Sequence, residues 1–335
     1  MQSPLVSILT PFKNTEQFLD ECITSILNQT YTNWELLIVD DHSIDNSYHL
    51  VEKFAIKDSR IKLFKNDGNG IINALQLAFK QSSGQLITRM DSDDVMLPNK
   101  LGVLVEKLKQ HGKNHVAIGL VEYFNANGVG PGYISYEKWL NALTLNGDNY
   151  KEIYKECVIP SPCWMIHKDD LENCGAFNYD IYPEDYDLTF RFYKNNYKCI
   201  PCDMIIHKWR DYNTRTSRTH AHYAQNHFTA LKVHHFLDID YNPNKTMAIW
   251  GAGTKGKLMA SLFLKRQIPF EWICDNPNKI GKEIYGKTLL NFNTLSTIKN
   301  PQSLITVANK ESQKEIQAYL EKLNLKAFED YIFFC

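Results

Sequence analysis

The chain has 335 residues, 44% of them hydrophobic and 22% charged, and its 37 Lys and Arg nearly balance its 38 Asp and Glu, for a net charge of −1. That length suits two domains of ordinary size, and that composition excludes a disordered chain. The basic residues form no long run, so there is no electrostatic footprint for nucleic acid, and no apolar stretch approaches the ~18 residues that a membrane span needs.

The first residues, MQSPLVSILTPF, lack the basic region and long apolar stretch of a signal peptide. The sequence therefore predicts a cytoplasmic protein, with peripheral contact at the inner face of the membrane compatible with it. Eight cysteines are scattered along the chain, and only Cys199 and Cys202 form a C-x-x-C pair. A zinc site needs four ligands, so these read as reduced thiols.

In chain order, Leu5 to Thr10 is a short β-branched run ending at Pro11, which reads as a buried strand. Glu16 to Gln29 places Phe18, Leu19, Cys22, Ile23, Ile26 and Leu27 at helical spacing. A second strand, Trp34 to Asp41, ends in two carboxylates, and a helix follows from about Asn46 to Lys57. Ile61 to Phe64 is a third strand, Gly68 and Gly70 open a helix through Phe79, and Gln85 to Met90 is a fourth strand that runs into Asp91, Ser92, Asp93 and Asp94. Alternation of this kind predicts an α/β fold with a mostly parallel sheet and helices on both faces. Ligands then bind beyond the carboxyl ends of the strands, where Thr10 and Pro11, Asp40 and Asp41, and the Asp91 cluster converge.

From about Gly112 to Val158 the pattern is irregular, and Gly128, Gly130 and Gly132 suggest loops and hairpins. Pro183 to Asn195 and Ala221 to Leu237 read as helices. The turn-rich stretch Asp238 to Lys245 reads as a linker, which divides the chain into domains at 1–240 and 246–335.

Clustered carboxylates repel, so the Asp91 to Asp94 loop asks for a divalent cation bound through oxygen or for basic partners. A helix N-cap ahead of Pro98 is an equally open reading. Glu184 and Asp185 sit where a helix dipole favours an acidic first turn. The run His207 to His220 gathers basic and imidazole side chains around Trp209 and Ser217, which suits either a solvated surface or an anion site.

Taken together, VSILTPFKN, the helix ending in LNQTY, WELLIVDDHSID, GNGIINALQLAFKQSSGQLITRMDSDDVMLPNKL and PEDYDLTFRF resemble a family 2 glycosyltransferase with a GT-A fold, over roughly Pro4 to Arg218. The resemblance implies an inverting enzyme that moves a sugar from a nucleotide-diphosphate sugar, by default a UDP-sugar, to a hydroxyl of a glycan or glycolipid acceptor. It implies Mn²⁺ or Mg²⁺ held by Asp91 and Asp93, with Asp93 the first expected direct ligand, and His207 as a further metal ligand. Thr10, Pro11 and Asp41 align with positions that cradle the nucleoside. Asp185 aligns with the general base, with Glu184 as its fallback or as an acceptor contact, and His207, Arg210, Arg215 and Arg218 align with a segment that closes over the diphosphate.

The last domain opens with a strand, Thr246 to Trp250, and a G-x-G-x-x-G run at Gly251, Gly253 and Gly256, followed by Asp275 at the end of the next strand. That spacing fits a dinucleotide fingerprint, and the segment resembles a small Rossmann-like domain appended to some bacterial transferases. Two readings compete with the transferase: an NAD-binding oxidoreductase centred on these glycines, and a non-catalytic nucleotide-sugar-binding protein that binds donor without turnover. A nucleotidyltransferase is disfavoured because LTPFKNTEQF lacks a Gly-rich basic loop, and a glycoside hydrolase because its acid pair needs no clustered metal-binding carboxylates. Nothing in the sequence fixes the oligomeric state.

Overall fold

A computed structural model describes residues 3–126, 128–215, 218 and 227–335. The chain divides into two compact units, Met1–Lys151 with Cys157–Thr219, and Glu152–Glu156 with His220–Cys335.

The first unit begins as the periodicity predicts. Strands β1 (Val6–Phe12), β2 (Trp34–Asp40), β3 (Ile61–Lys65) and β4 (Leu86–Arg89) lie parallel in the order β3-β2-β1-β4. They are linked by helices α1 (Glu16–Leu27), α2 (Ser47–Lys57) and α3 (Gly70–Gln81). Every residue of β1 and β2 is buried, as expected of strands covered on both faces. Helix α1 turns Leu19, Cys22, Ile23 and Ile26 inward at the spacing of a single face.

The second half of this unit extends the sheet with mixed pairing. It comprises β5 (Val95–Met96), α4 (Lys100–His111), β6 (His115–Phe124), α5 (Pro131–Asn146), β7 (Trp164–His167), α6 (Lys168–Asn173), α7 (Glu184–Lys194) and β8 (Lys198–Arg210). The order runs on as β4-β7-β6-β8-β5. Pairs β4–β7, β6–β7 and β5–β8 are antiparallel, and β6–β8 is parallel. This is a mixed sheet flanked by helices, the arrangement that the resemblance implies.

The loops and hairpins expected between Gly112 and Val158 are instead a ten-residue strand and a sixteen-residue helix. Pro131 fits the first turn of α5, and Gly147 ends it in the left-handed region at φ 66°. The glycines that suggested loops mark the helix start. In β6, the register with β8 shifts around Gly119. A Cβ there would lie 2.2 Å from Ile206 Cδ1, so only glycine admits that side chain.

In the second unit, a helix His227–Ile239 precedes a five-stranded sheet. Residues 221–226 of the helix expected from Ala221 lie outside the described residues. The strands are β9 (Thr246–Trp250), β10 (Glu271–Cys274), β13 (Leu290–Asn291), β14 (Pro301–Ile305) and β15 (Tyr331–Phe333), with β11 (Glu283–Ile284) and β12 (Lys287–Thr288) forming a separate hairpin. Their order, β13-β10-β9-β14-β15, is parallel throughout. Helix Thr254–Lys265 follows the glycine run closely: Gly251 has φ +113°, and a Cβ on Gly256 would meet the Gly251 carbonyl oxygen at 2.0 Å. Among the described residues no helix is long and apolar enough to cross a membrane.

Candidate active site

The ends of β1, β2 and β4 bring the predicted polar groups to one edge of the first unit. Thr10 is fully buried, and its hydroxyl has no hydrogen-bond partner; Pro11 follows it in β1. Asp41 is buried just past β2. Its Oδ1 accepts from the Gly70 backbone N–H at 2.9 Å and from Asn66 Nδ2 at 2.7 Å, while its Oδ2 faces Lys13 Nζ at 3.4 Å. The acid is thereby fixed against the start of α3.

The loop after β4 holds three aspartates in three different settings. Asp91 Oδ1 accepts from Arg89 Nε at 2.9 Å. Asp93 Oδ2 accepts from the Tyr212 hydroxyl at 2.8 Å, and its backbone carbonyl accepts from Arg210 Nε at 2.6 Å. Asp94 is fully buried and accepts from His207 Nε2 at 2.9 Å and from the Arg210 backbone N–H at 2.8 Å. Thr15, the N-cap residue of α1, steadies the loop through its Oγ1, 3.2 Å from Ser92 Oγ.

Burial and the neighbouring charge of Asp94 push the Asp93 carboxyl up to about 7, against the pull of Arg215. Asp94 is raised in the same direction, first by burial. Asp91 Oδ2 and Asp93 Oδ1 make no hydrogen bond among the described residues. An oxygen-only donor set of this kind fits a hard divalent ion that is completed by phosphate and water.

His207 sits behind the aspartate loop. Its ring is fully buried, and Lys100 Nζ lies 3.4 Å from Nδ1 while Asp94 lies at Nε2. An ammonium can only donate, so Nδ1 accepts and Nε2 carries the proton given to Asp94. Burial and the charge of Lys100 hold the imidazole well below its ordinary range, hence neutral. With both nitrogens engaged in this structure, His207 braces the third aspartate.

Glu184 and Asp185 open α7, and the acidic first turn predicted from the dipole is present. Glu184 Oε1 accepts from Arg89 at 2.8 Å, whereas Oε2 is buried without a partner. Asp185 Oδ1 accepts from the Tyr186 backbone N–H at 2.8 Å. Burial first, and then the charge of Glu184, raise the Asp185 carboxyl well above the carboxylate range, against the pull of Arg89.

The basic segment beyond β8 divides its work. Arg210 lies over Phe18 and Phe124 and reaches Glu21 at 2.5 Å as well as the Asp93 carbonyl. Arg215 is buried over the Trp209 ring, and its charge lowers both Asp93 and Asp94. Arg218 forks onto Asp211 at 2.8 and 2.7 Å. Ser217 and His220 lie outside the described residues.

Sequence reasoning missed Arg89, Tyr212 and Lys100. Arg89 was visible as a single cation closing an otherwise apolar strand, LITR. Tyr212 and Lys100 carried no signal, because each acts through a partner more than 100 residues away in the chain.

The model of "Glycosyl transferase family 2" matches residues 7–175. The chain is 35% identical over 215 residues to WfgD of Escherichia coli, a UDP-Glc:alpha-D-GlcNAc-diphosphoundecaprenol beta-1,3-glucosyltransferase, covering 63% of this chain and 78% of that one. In fold it is similar to S. aureus TarS 1-349 in complex with UDP-GlcNAc, with a TM-score of 0.55, 19% identity, and 95% of this chain and 80% of that chain covered. It is also similar to the mannosyltransferase PcManGT from Pyrobaculum calidifontis in complex with GDP-Man and Mn2+, with a TM-score of 0.51, 17% identity, and 78% and 70% covered. The oxidoreductase and non-catalytic readings are not favoured. The chain belongs to glycosyl transferase family 2 and is a nucleotide-sugar glycosyltransferase of glycoconjugate synthesis.

Proposed function

We propose that the enzyme uses a UDP-sugar and a divalent ion, Mn²⁺ or Mg²⁺, and transfers the sugar with inversion to a hydroxyl of a lipid-linked glycan, working at a membrane face. The observation that carries this reading is that one guanidinium, Arg89, joins a carboxylate of the aspartate loop to the Glu184–Asp185 pair. Donor-side and acceptor-side acids are thus neighbours. The UDP-Glc donor and GlcNAc-diphosphoundecaprenol acceptor of WfgD support the substrate classes, and the Mn2+ that accompanies GDP-Man in the PcManGT complex supports the ion.

Asp91 and Asp93 would hold the ion, which when bound supplies Lewis-acid stabilisation of the departing diphosphate. Thr10, Pro11 and Asp41 line the nucleoside side, and the unpartnered Thr10 hydroxyl is available to it. Arg210 and Arg215 face the aspartate loop and flank the diphosphate. Arg218, already forked onto Asp211, lies one step further out. Asp185 takes the proton of the acceptor hydroxyl as its oxygen bonds to the anomeric carbon and the bond to the phosphate oxygen breaks on the opposite face. A base held above the usual carboxylate range suits proton removal near neutral pH. The C-terminal unit, from about residue 246, serves as a Rossmann-like accessory domain in scaffolding or partner contact.

Calorimetric titration of UDP, GDP and NAD, with and without Mn²⁺, tests the reading. Metal-dependent binding of UDP that is lost in Asp93→Ala supports it. Binding of NAD alone, indifferent to metal and to that substitution, would overturn it.

A further inference from the structure

Arg89 is buried where an isolated charge would be costly, and both of its partners are acids of the proposed site. Its Nε binds Asp91 Oδ1 at 2.9 Å and its NH1 binds Glu184 Oε1 at 2.8 Å. Burial works against its charge, but the surrounding acids, Asp91, Glu184 and Asp185, keep it ionised. Strand β4 does not need this bridge for its own register, which pairing with β1 and with β7 already sets. What the bridge does fix is the start of α7, which no strand pairing holds. It also leaves Glu184 Oε2 buried with an open lone pair, the kind of acceptor that a sugar hydroxyl satisfies.

We infer that Arg89 is a positioning residue: its guanidinium fork sets the distance between the donor-side loop and the acceptor-side acids, so that the base meets the anomeric carbon only while the fork is closed. This rests on the reading above, in which Asp91 serves the donor and Asp185 the acceptor. A lysine at 89 keeps the charge but, as a single point, cannot hold two carboxylates in fixed directions. Misplacement of the reacting groups by about 1 Å is enough to cost ~100-fold in rate.

The full-length chain would be compared with Arg89→Lys, Arg89→Met, Glu184→Gln and the Arg89→Met/Glu184→Gln double variant. Three quantities are read with Mn²⁺: UDP affinity by calorimetry, hydrolysis of UDP-glucose by water, and transfer from UDP-glucose to a synthetic GlcNAc-diphospho-alkyl acceptor. For Arg89→Met the expected result is a fall in transfer kcat of ~100-fold with UDP affinity within about fivefold, so that the ratio of hydrolysis to transfer rises at least tenfold. Arg89→Lys recovers less than about a tenth of the lost transfer. Glu184→Gln costs about tenfold alone but less than about threefold on top of Arg89→Met, the signature of a shared role.

Parallel loss of UDP affinity, hydrolysis and transfer would overturn the inference, because it would place Arg89 in the donor site or in folding. Additive losses in the double variant, or unchanged transfer in Arg89→Met, would overturn it as well. If the wild-type chain binds GDP instead of UDP, the donor assignment fails by itself. The same variants run with GDP-mannose then decide Arg89 by the same ratio.

Discussion

His207 Nε2 lies 2.9 Å from Asp94 Oδ2, with both side chains fully shielded from solvent. The pair ties the end of β8 to the aspartate loop, and Lys100 on α4 closes the line from behind by donating to the Pro162 carbonyl at 2.5 Å.

His207→Ala leaves the buried Asp94 carboxylate short of a donor, so it should lower unfolding stability by about 2–3 kcal/mol. Urea denaturation without metal measures this. A metal ligand would behave in the opposite way, with unchanged stability in the absence of metal and a loss confined to metal affinity.

In the proposed ion site Asp93 supplies the second oxygen donor of the loop. Adding Mn²⁺ with UDP should raise the melting temperature of the wild-type chain, since a ligand that binds only the folded state stabilises it by RT ln(1 + [L]/Kd). In Asp93→Ala the rise should vanish. Differential scanning fluorimetry across a Mn²⁺ series gives the answer, and an unchanged rise would remove Asp93 from the ion site.

Asp185→Asn keeps the shape and the acceptor oxygen that receives the Tyr186 N–H, but it removes the proposed base. Transfer should fall by roughly 10²–10⁴-fold, while UDP affinity stays within about threefold of wild type. Steady-state kinetics beside calorimetry separates the two effects. Equal losses in both would place Asp185 on the donor.

Glu35 sits at the centre of a buried knot in which Lys62, Ser7 and Ser83 contact its carboxylate at 2.6 Å. Burial would raise this acid, but those hydrogen bonds, with Lys62 foremost, outweigh it and bring it down to about 2. The folded pKa thus lies below the unfolded one. The stabilisation is full above about 4.5 and is lost as pH falls towards 2. Chemical denaturation at steps between pH 5 and 2.5 should show a steep decline in wild type and a shallower one in Glu35→Gln.

The parallel half of the fold was legible because each of its strands is a short apolar run and each helix repeats at 3.6 residues, so local pattern and burial coincide. Where they diverge, the pattern misled. Helix α5 starts at Pro131–Gly132, and its inward residues, Leu140 and Thr144, form no broad apolar stripe. The site was legible in its acids, which lie together in short motifs, and illegible in its braces. His207 gave no sign in the sequence of the aspartate at one of its nitrogens or of Lys100 at the other.

The sheet changes sense at the seam between β4 and β7, where only Leu86 with His167, Ile87 with Ile166, and Thr88 with Met165 are paired. For a designer of chimeras this seam is the natural crossover, since a graft there disturbs few backbone bonds. Side chains nevertheless stitch across it, Arg89 to Glu184 and Asp94 to His207. Parents recombined at this point should therefore donate residues 89 and 184 together, and 94 and 207 together, or the acids of the hybrid will no longer line up.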